Sequence, residues 1–134
     1  MLVTASLILS VLIGVVLSRQ GLAVKAPQQH KLRIGMSFDT LKEERWQRDR
    51  AAFVKRATEL GAEVMDLAAN SSDIQQMRDV ESLLTSQVDV LVIVAHNGAA
   101  MSKAVRLAHA AGVPVIAYDR LIPEPSLDFY ISFD

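Results

Sequence analysis

A few side chains in this 134-residue sequence could do chemistry together. Arg45 and Trp46 stand in ERWQRDR, Asp119 and Arg120 in VPVIAYDRLI, Asp39 in MSFDT and Asn97 in AHNGA. An aspartate accepts hydroxyl hydrogens, an arginine donates in a planar fork, and an indole offers a flat apolar face. A polyhydroxylated ring has hydroxyls around its edge and C–H bonds on its faces, so a sugar would meet all three groups at once. A phosphate would use the arginines and a helix N-terminus, but Asp39 and Asp119 would repel it. Each residue also has a plain structural use. Asp119 and Arg120 fit a surface turn with a local ion pair of little energetic value. Trp46 fits a helix core face, Arg45 a solvated helix face, Asp39 a helix N-cap, and Asn97-Gly98 a loop and helix start.

Other chemistries find little footing. The chain has no cysteine, which removes disulfides, thiolate metal sites, a cysteine nucleophile and a lipid-bearing cysteine anchor. His30, His96 and His109 are scattered, with no partner at metal spacing, and are expected to be structural. No glycine-rich phosphate loop, nucleophile elbow or triad pattern occurs, and nothing marks a glycosidase pair of carboxylates. The expectation is a binding protein, not an enzyme, with no cofactor and no metal. Net charge is −1 with no Lys/Arg stripe, so no nucleic-acid partner is expected.

The elements that must position these residues follow a regular rhythm. LRIGMSF, AEVMDL, VDVLVIVA, VPVIAY and DFYISFD read as five strands. The run VDVLVIVA has the continuous β-branched pattern of a strand buried on both faces. Between the first four strands lie three helical patterns. Trp46, Phe53, Ala57 and Leu60 share one face of the first, which Gly61 closes. Ile74, Met77, Val80 or Glu81, and Leu84 keep the spacing in the second, with Ser71 or Ser72 as N-cap. Met101, Ala104, Val105 and Ala108 face one way in the third, which Gly112 closes. Strand and helix in alternation predict α/β architecture: a doubly wound parallel sheet with helices on both faces. Ligands of such sheets sit beyond the carboxyl ends of the strands. Asp39, Arg45, Trp46, Asn70, His96, Asn97, Asp119 and Arg120 all fall there. The tip of the first helix and the exit of the fourth strand are therefore expected to converge.

The first stretch stands apart. Residues 1–18 carry no charged side chain, and Arg19 is the first. This length lies between a signal-peptide core and a short membrane span. Residues 1–29 are expected to be an export segment with a linker, either cleaved or retained as a membrane attachment. Residues 31–134 would then lie outside the cytoplasm.

Over residues 31–134 the sequence resembles the bacterial periplasmic sugar-binding proteins. KLRIGMSFDTLKEERWQRDRAAFVKRATELGAEV looks like their opening, and VDVLVIVAHNGAAMSKAVRLAHAAGVPVIAYDRLI and LDFYISFD continue the match. The resemblance implies one lobe of a two-lobed receptor, of periplasmic binding protein type I, with the second lobe absent from this chain. It implies a monosaccharide ligand, D-xylose first, and an ABC transporter permease as partner, or a sensor kinase if the chain stays on the membrane. It assigns ring stacking to Trp46 and hydroxyl contacts to Arg45, Asp119 and Arg120, with Asp39 and Asn97 near the cleft. His96 stands where the family would put an aromatic residue.

Overall fold

A computed structural model describes residues 30–133; the proposed export segment, residues 1–29, lies outside them. Lys31–Asp134 form one compact unit. Five strands make a single sheet: β1 (Arg33–Phe38), β2 (Glu63–Ala68), β3 (Val90–Val94), β4 (Val115–Tyr118) and β5 (Phe129–Ile131). The order across the sheet is β2-β1-β3-β4-β5, and every pair is parallel. Three helices connect the first four strands: α1 (Glu44–Glu59), α2 (Asp73–Thr85) and α3 (Gly98–Ala110). The chain steps one way from β1 to β2 and the other way from β2 onward. With right-handed crossovers this puts α1 on one face of the sheet and α2 and α3 on the other.

The two faces have separate cores, and the strands divide their side chains between them by alternation. Leu91 and Ile93 of β3, with Val115 and Ala117 of β4, pack against Val80, Leu83, Met101 and Val105 of α2 and α3. Val92 and Val94 join Met36, Phe38 and Trp46 on the α1 side. Burying each such aliphatic side chain contributes about 1.5–3 kcal/mol, which is why β3 carries no polar residue. The α1 side has one helix where the other side has two. A cavity of about 310 Å³ opens there, lined by Phe38, Phe53, Val92, Ile116, Tyr118 and Ile131 among others.

Helix boundaries follow local chemistry. Ser72 caps α2 by accepting from the Gln75 amide, and Asn97 caps α3 by accepting from the Ala100 amide. Gly61 and Gly112 take positive φ just beyond α1 and α3. Two expected helix faces need correction. Leu60 is exposed at the end of α1, and Ile74 is exposed in the first turn of α2. The buried residues of α2 are Gln76, Asp79, Val80 and Leu83, because the helix turns polar side chains inward toward the strand ends.

Gly98, the first residue of α3, passes close under the loop after β4. A Cβ there would run into the Leu121 carbonyl oxygen, which is backbone and cannot swing away. Gly98→Ala is therefore expected to destabilise the domain by about 1–3 kcal/mol, despite alanine's better helix propensity. A fall of roughly 4–8 °C in Tm per kcal/mol would register it; an unchanged Tm would show that the loop yields.

Candidate functional site

Strands β1 and β3 are neighbours whose following crossovers diverge, so the topological switch of the sheet lies between their carboxyl ends. Asp39 follows β1 there. It is 4% exposed, and each of its carboxylate oxygens has a partner. His96 Nδ1 bonds Oδ1 at 2.8 Å, and Arg120 donates to Oδ2 at 2.8 Å. The same Arg120 nitrogen donates to the Ala95 carbonyl at 2.9 Å. Burial alone pushes the Asp39 carboxyl up. The hydrogen bond from Arg120, the charge of His96, a hydrogen bond from Ser71 and the charge of Arg120 outweigh it and hold Asp39 below the usual carboxylate range.

The end of β4 explains how adjacent residues serve different partners. The Arg120 amide donates to the Tyr118 carbonyl at 2.8 Å around Asp119, whose φ is +66°. This i to i+2 bond makes a γ-turn, and left-handed backbone at a non-glycine residue costs about 1–3 kcal/mol. Two bonds hold the turn: the Asp119 amide donates to Ile131 O at 2.7 Å, and the Tyr130 hydroxyl donates to Asp119 O at 3.1 Å. The turn sends the Asp119 side chain toward α1 and the Arg120 side chain toward β1 and β3. Asp119 Oδ1 accepts from Arg45 at 2.5 Å.

Arg45 and Trp46 occupy the first turn of α1, which begins at this rim because α1 leaves the carboxyl end of β1. The Arg45 guanidinium lies 4.5 Å from the Trp46 ring centroid and 4.8 Å from that of Phe133. Arg120 is 5.9 Å from the Trp46 centroid. These distances are within cation–π range. The structure thus gathers Arg45, Trp46, Asp39, Asp119 and Arg120 at one rim. Asn97 lies at the same rim, but its side-chain oxygen is committed to the α3 cap.

The structural alternatives resolve residue by residue. Asp119 and Arg120 do not pair with each other; each reaches another element. Asp39 is not the N-cap of α1, a position held by Glu43. Trp46 is 4% exposed and packs in the core, edge-on to Tyr118. A ring stacked on its face would have to share that face with Arg45. His96 joins the site although sequence reasoning set it aside as structural; its place at the exit of β3, next to Asn97, was the available signal. Among the described residues no cluster of His, Asp or Glu has the geometry to hold a metal ion.

Tyr118 lies behind the rim and donates to Asp49 at 3.0 Å. Burial, then the hydrogen bond and charge of Asp49, push its phenol up to about 12. The folded state thus holds this proton more tightly than the unfolded chain does. Its contribution to stability is complete below about pH 10 and fades as pH rises toward 12. Ultraviolet titration is expected to resolve a tyrosine ionising near 12, and Asp49→Asn to lower that midpoint. A Tyr118 that ionises near 10 would contradict this.

An open parallel sheet wound on both faces, with charged residues gathered beyond the carboxyl ends of its strands, defines a doubly wound α/β domain. The chain belongs to the periplasmic binding protein domain family, whose model matches residues 34–134. It is 46% identical over 109 residues to the D-xylose-binding periplasmic protein of Escherichia coli (strain K12), covering 81% of this chain and 33% of that protein. A carbohydrate transporter solute-binding protein from Chloroflexus aurantiacus, solved in complex with D-glucose, superposes with a TM-score of 0.72 at 37% identity. That match covers 78% of this chain and 31% of the other. The fructose-binding periplasmic domain of a hybrid two-component system superposes with a TM-score of 0.66 at 28% identity, covering 75% of this chain and 33% of the other. The chain spans about a third of the length of the curated relatives it matches.

Proposed function

We propose that this chain supplies one lobe of an extracytoplasmic monosaccharide receptor, with residues 31–134 as the lobe and D-xylose as the sugar. It would serve an ABC importer as its solute-binding component and catalyse no reaction. The observation that carries the reading is the convergence of Arg45, Asp119 and Arg120 at one rim, in a chain 46% identical to a D-xylose-binding protein. The arginines would donate to ring hydroxyls and Asp119 would accept from them, with the Trp46 indole beside the ring. A second lobe would supply the remaining contacts and close over the sugar.

A second reading is a sugar-sensing subunit, held to the membrane by residues 1–18, that reports to a sensor kinase. The likeness to the sugar-binding domain of a two-component system favours it. Recovery of the chain from membranes with its N-terminus intact would select this reading, and a mature chain beginning near Val24 or Pro27 the importer.

The test is an NMR titration of the chain with D-xylose, D-glucose, D-ribose and, as a control, L-lactate. Saturable shifts at Arg45, Asp119 and Arg120, strongest with D-xylose and absent with lactate, are the expected result. Shifts that are scattered, or no greater than those with lactate, would reject the sugar reading.

A further inference from the structure

We infer that His96 is a positioning residue, holding Asp39 so that Asp39 in turn fixes the Arg120 guanidinium for a ligand. The inference rests on the reading of this rim as a sugar site and goes beyond it, since neither the residue types nor the assigned contacts give His96 a part.

The chain of contacts begins in the core. Gln76 of α2 is fully buried. Its amide nitrogen donates to Val94 O at 2.9 Å and to the Ser37 hydroxyl at 3.2 Å, tying α2 to the ends of β3 and β1. Its side-chain oxygen accepts from the His96 backbone amide at 2.8 Å. The backbone of His96 is therefore anchored where the two strands diverge. An ionised carboxylate only accepts, so the bond to Asp39 Oδ1 requires the proton on Nδ1 of His96. With Oδ1 held by His96, the carboxylate plane is fixed and Oδ2 is presented to Arg120. One terminal nitrogen of Arg120 is then spent on Asp39 and Ala95. Among the described residues no side chain takes the three N–H groups on its other two nitrogens. Asp39 thus holds Arg120 in place: each of its oxygens has a partner, and at 4% exposure it offers little surface to a ligand.

Guanidinium NMR on the full chain tests this. Arg120 Hη signals, assigned with Arg120→Lys, are expected to be resolved and slow to exchange in the native chain. His96→Ala should bring their exchange to the rate of a solvated arginine. His96→Asn, whose side-chain N–H stands near the place of Nδ1, should restore them. Arg50, held by Asp66 through two nitrogens elsewhere on α1, should stay unchanged in both variants and reports on the fold. Where sugar binds, affinity should fall about tenfold in His96→Ala and recover in His96→Asn. Arg120 signals that survive His96→Ala, or an equal loss in His96→Asn, overturn the proposal. Ordered Arg120 signals that respond as expected in a chain that takes up no monosaccharide support the positioning role while removing the sugar reading.

Discussion

Replacing Asp39 by alanine is expected to lower the stability of the domain by about 2–4 kcal/mol. Breaking a buried charge pair by removing one partner costs about 3–5 kcal/mol. Here the loss is moderated, because the side chains of Arg120 and His96 are 40% and 36% exposed and water can replace part of what Asp39 gave them. The urea midpoint should drop with little change in slope. The contrast lies nearby: Glu44→Ala removes the exposed i, i+4 pair with Arg48 and should cost under about 1 kcal/mol. Equal losses in the two variants would mean that Asp39 is no better embedded than a surface acid. The same carboxylate gives an acid limb to stability. Its folded pKa is depressed, so its contribution is complete above the ordinary value of about 3.9 and fades as pH falls below it.

Arg120→Ala is expected to weaken monosaccharide binding by roughly 10- to 150-fold, from the loss of one or more charge-assisted hydrogen bonds of about 1.5–3 kcal/mol each. The starting point matters. On the proposed one-lobe reading about half the hydroxyls of a pentose would stay in water, so residues 31–134 alone should bind D-xylose no tighter than about millimolar. The fold-change is then best read on a chain extended to the length of its relatives, by calorimetry. Micromolar binding by residues 31–134 would contradict the first expectation. Undiminished binding in Arg120→Ala would contradict the second and would move the site elsewhere on the rim.

How far the sequence foretold this can be followed through particular residues. The run VDVLVIVA became a strand buried on both faces, because a parallel sheet covered on both sides demands that composition. Met101, Ala104, Val105 and Ala108 became the buried face of α3 as their spacing predicted. Helix α2 followed the same rule in part: Met77, Val80 and Leu84 meet the core, while Ile74 is exposed. Its inward side includes Gln76, whose partners Ser37 and Val94 lie 39 and 18 residues away in sequence. Hydrophobic periodicity counts such a residue as solvent-facing, since its hydrogen bonds appear only once the strands are assembled. The strand order was likewise not legible, although the alternation of elements was, because neighbour choice depends on packing between distant segments. At the rim, residue types placed Arg45, Asp119 and Arg120 in one candidate set with Asp39, and the family resemblance singled them out for sugar contacts. They gave no hint that Asp39 would be consumed by His96 and Arg120, or that Arg45 would lie against Trp46.

The γ-turn at Asp119 also dictates where this chain tolerates changes in length. Neighbouring side chains part there toward different elements, one to α1 and one to the β1–β3 junction. An insertion just before Asp119 would carry it into the place of Arg120, and a deletion there would carry Arg120 into the place of Asp119, so either change breaks both partnerships. A few positions on, Pro125 and Ser126 sit in an exposed connection where extra residues would leave both partnerships intact. Among natural variants, indels should therefore crowd the latter stretch and spare the former.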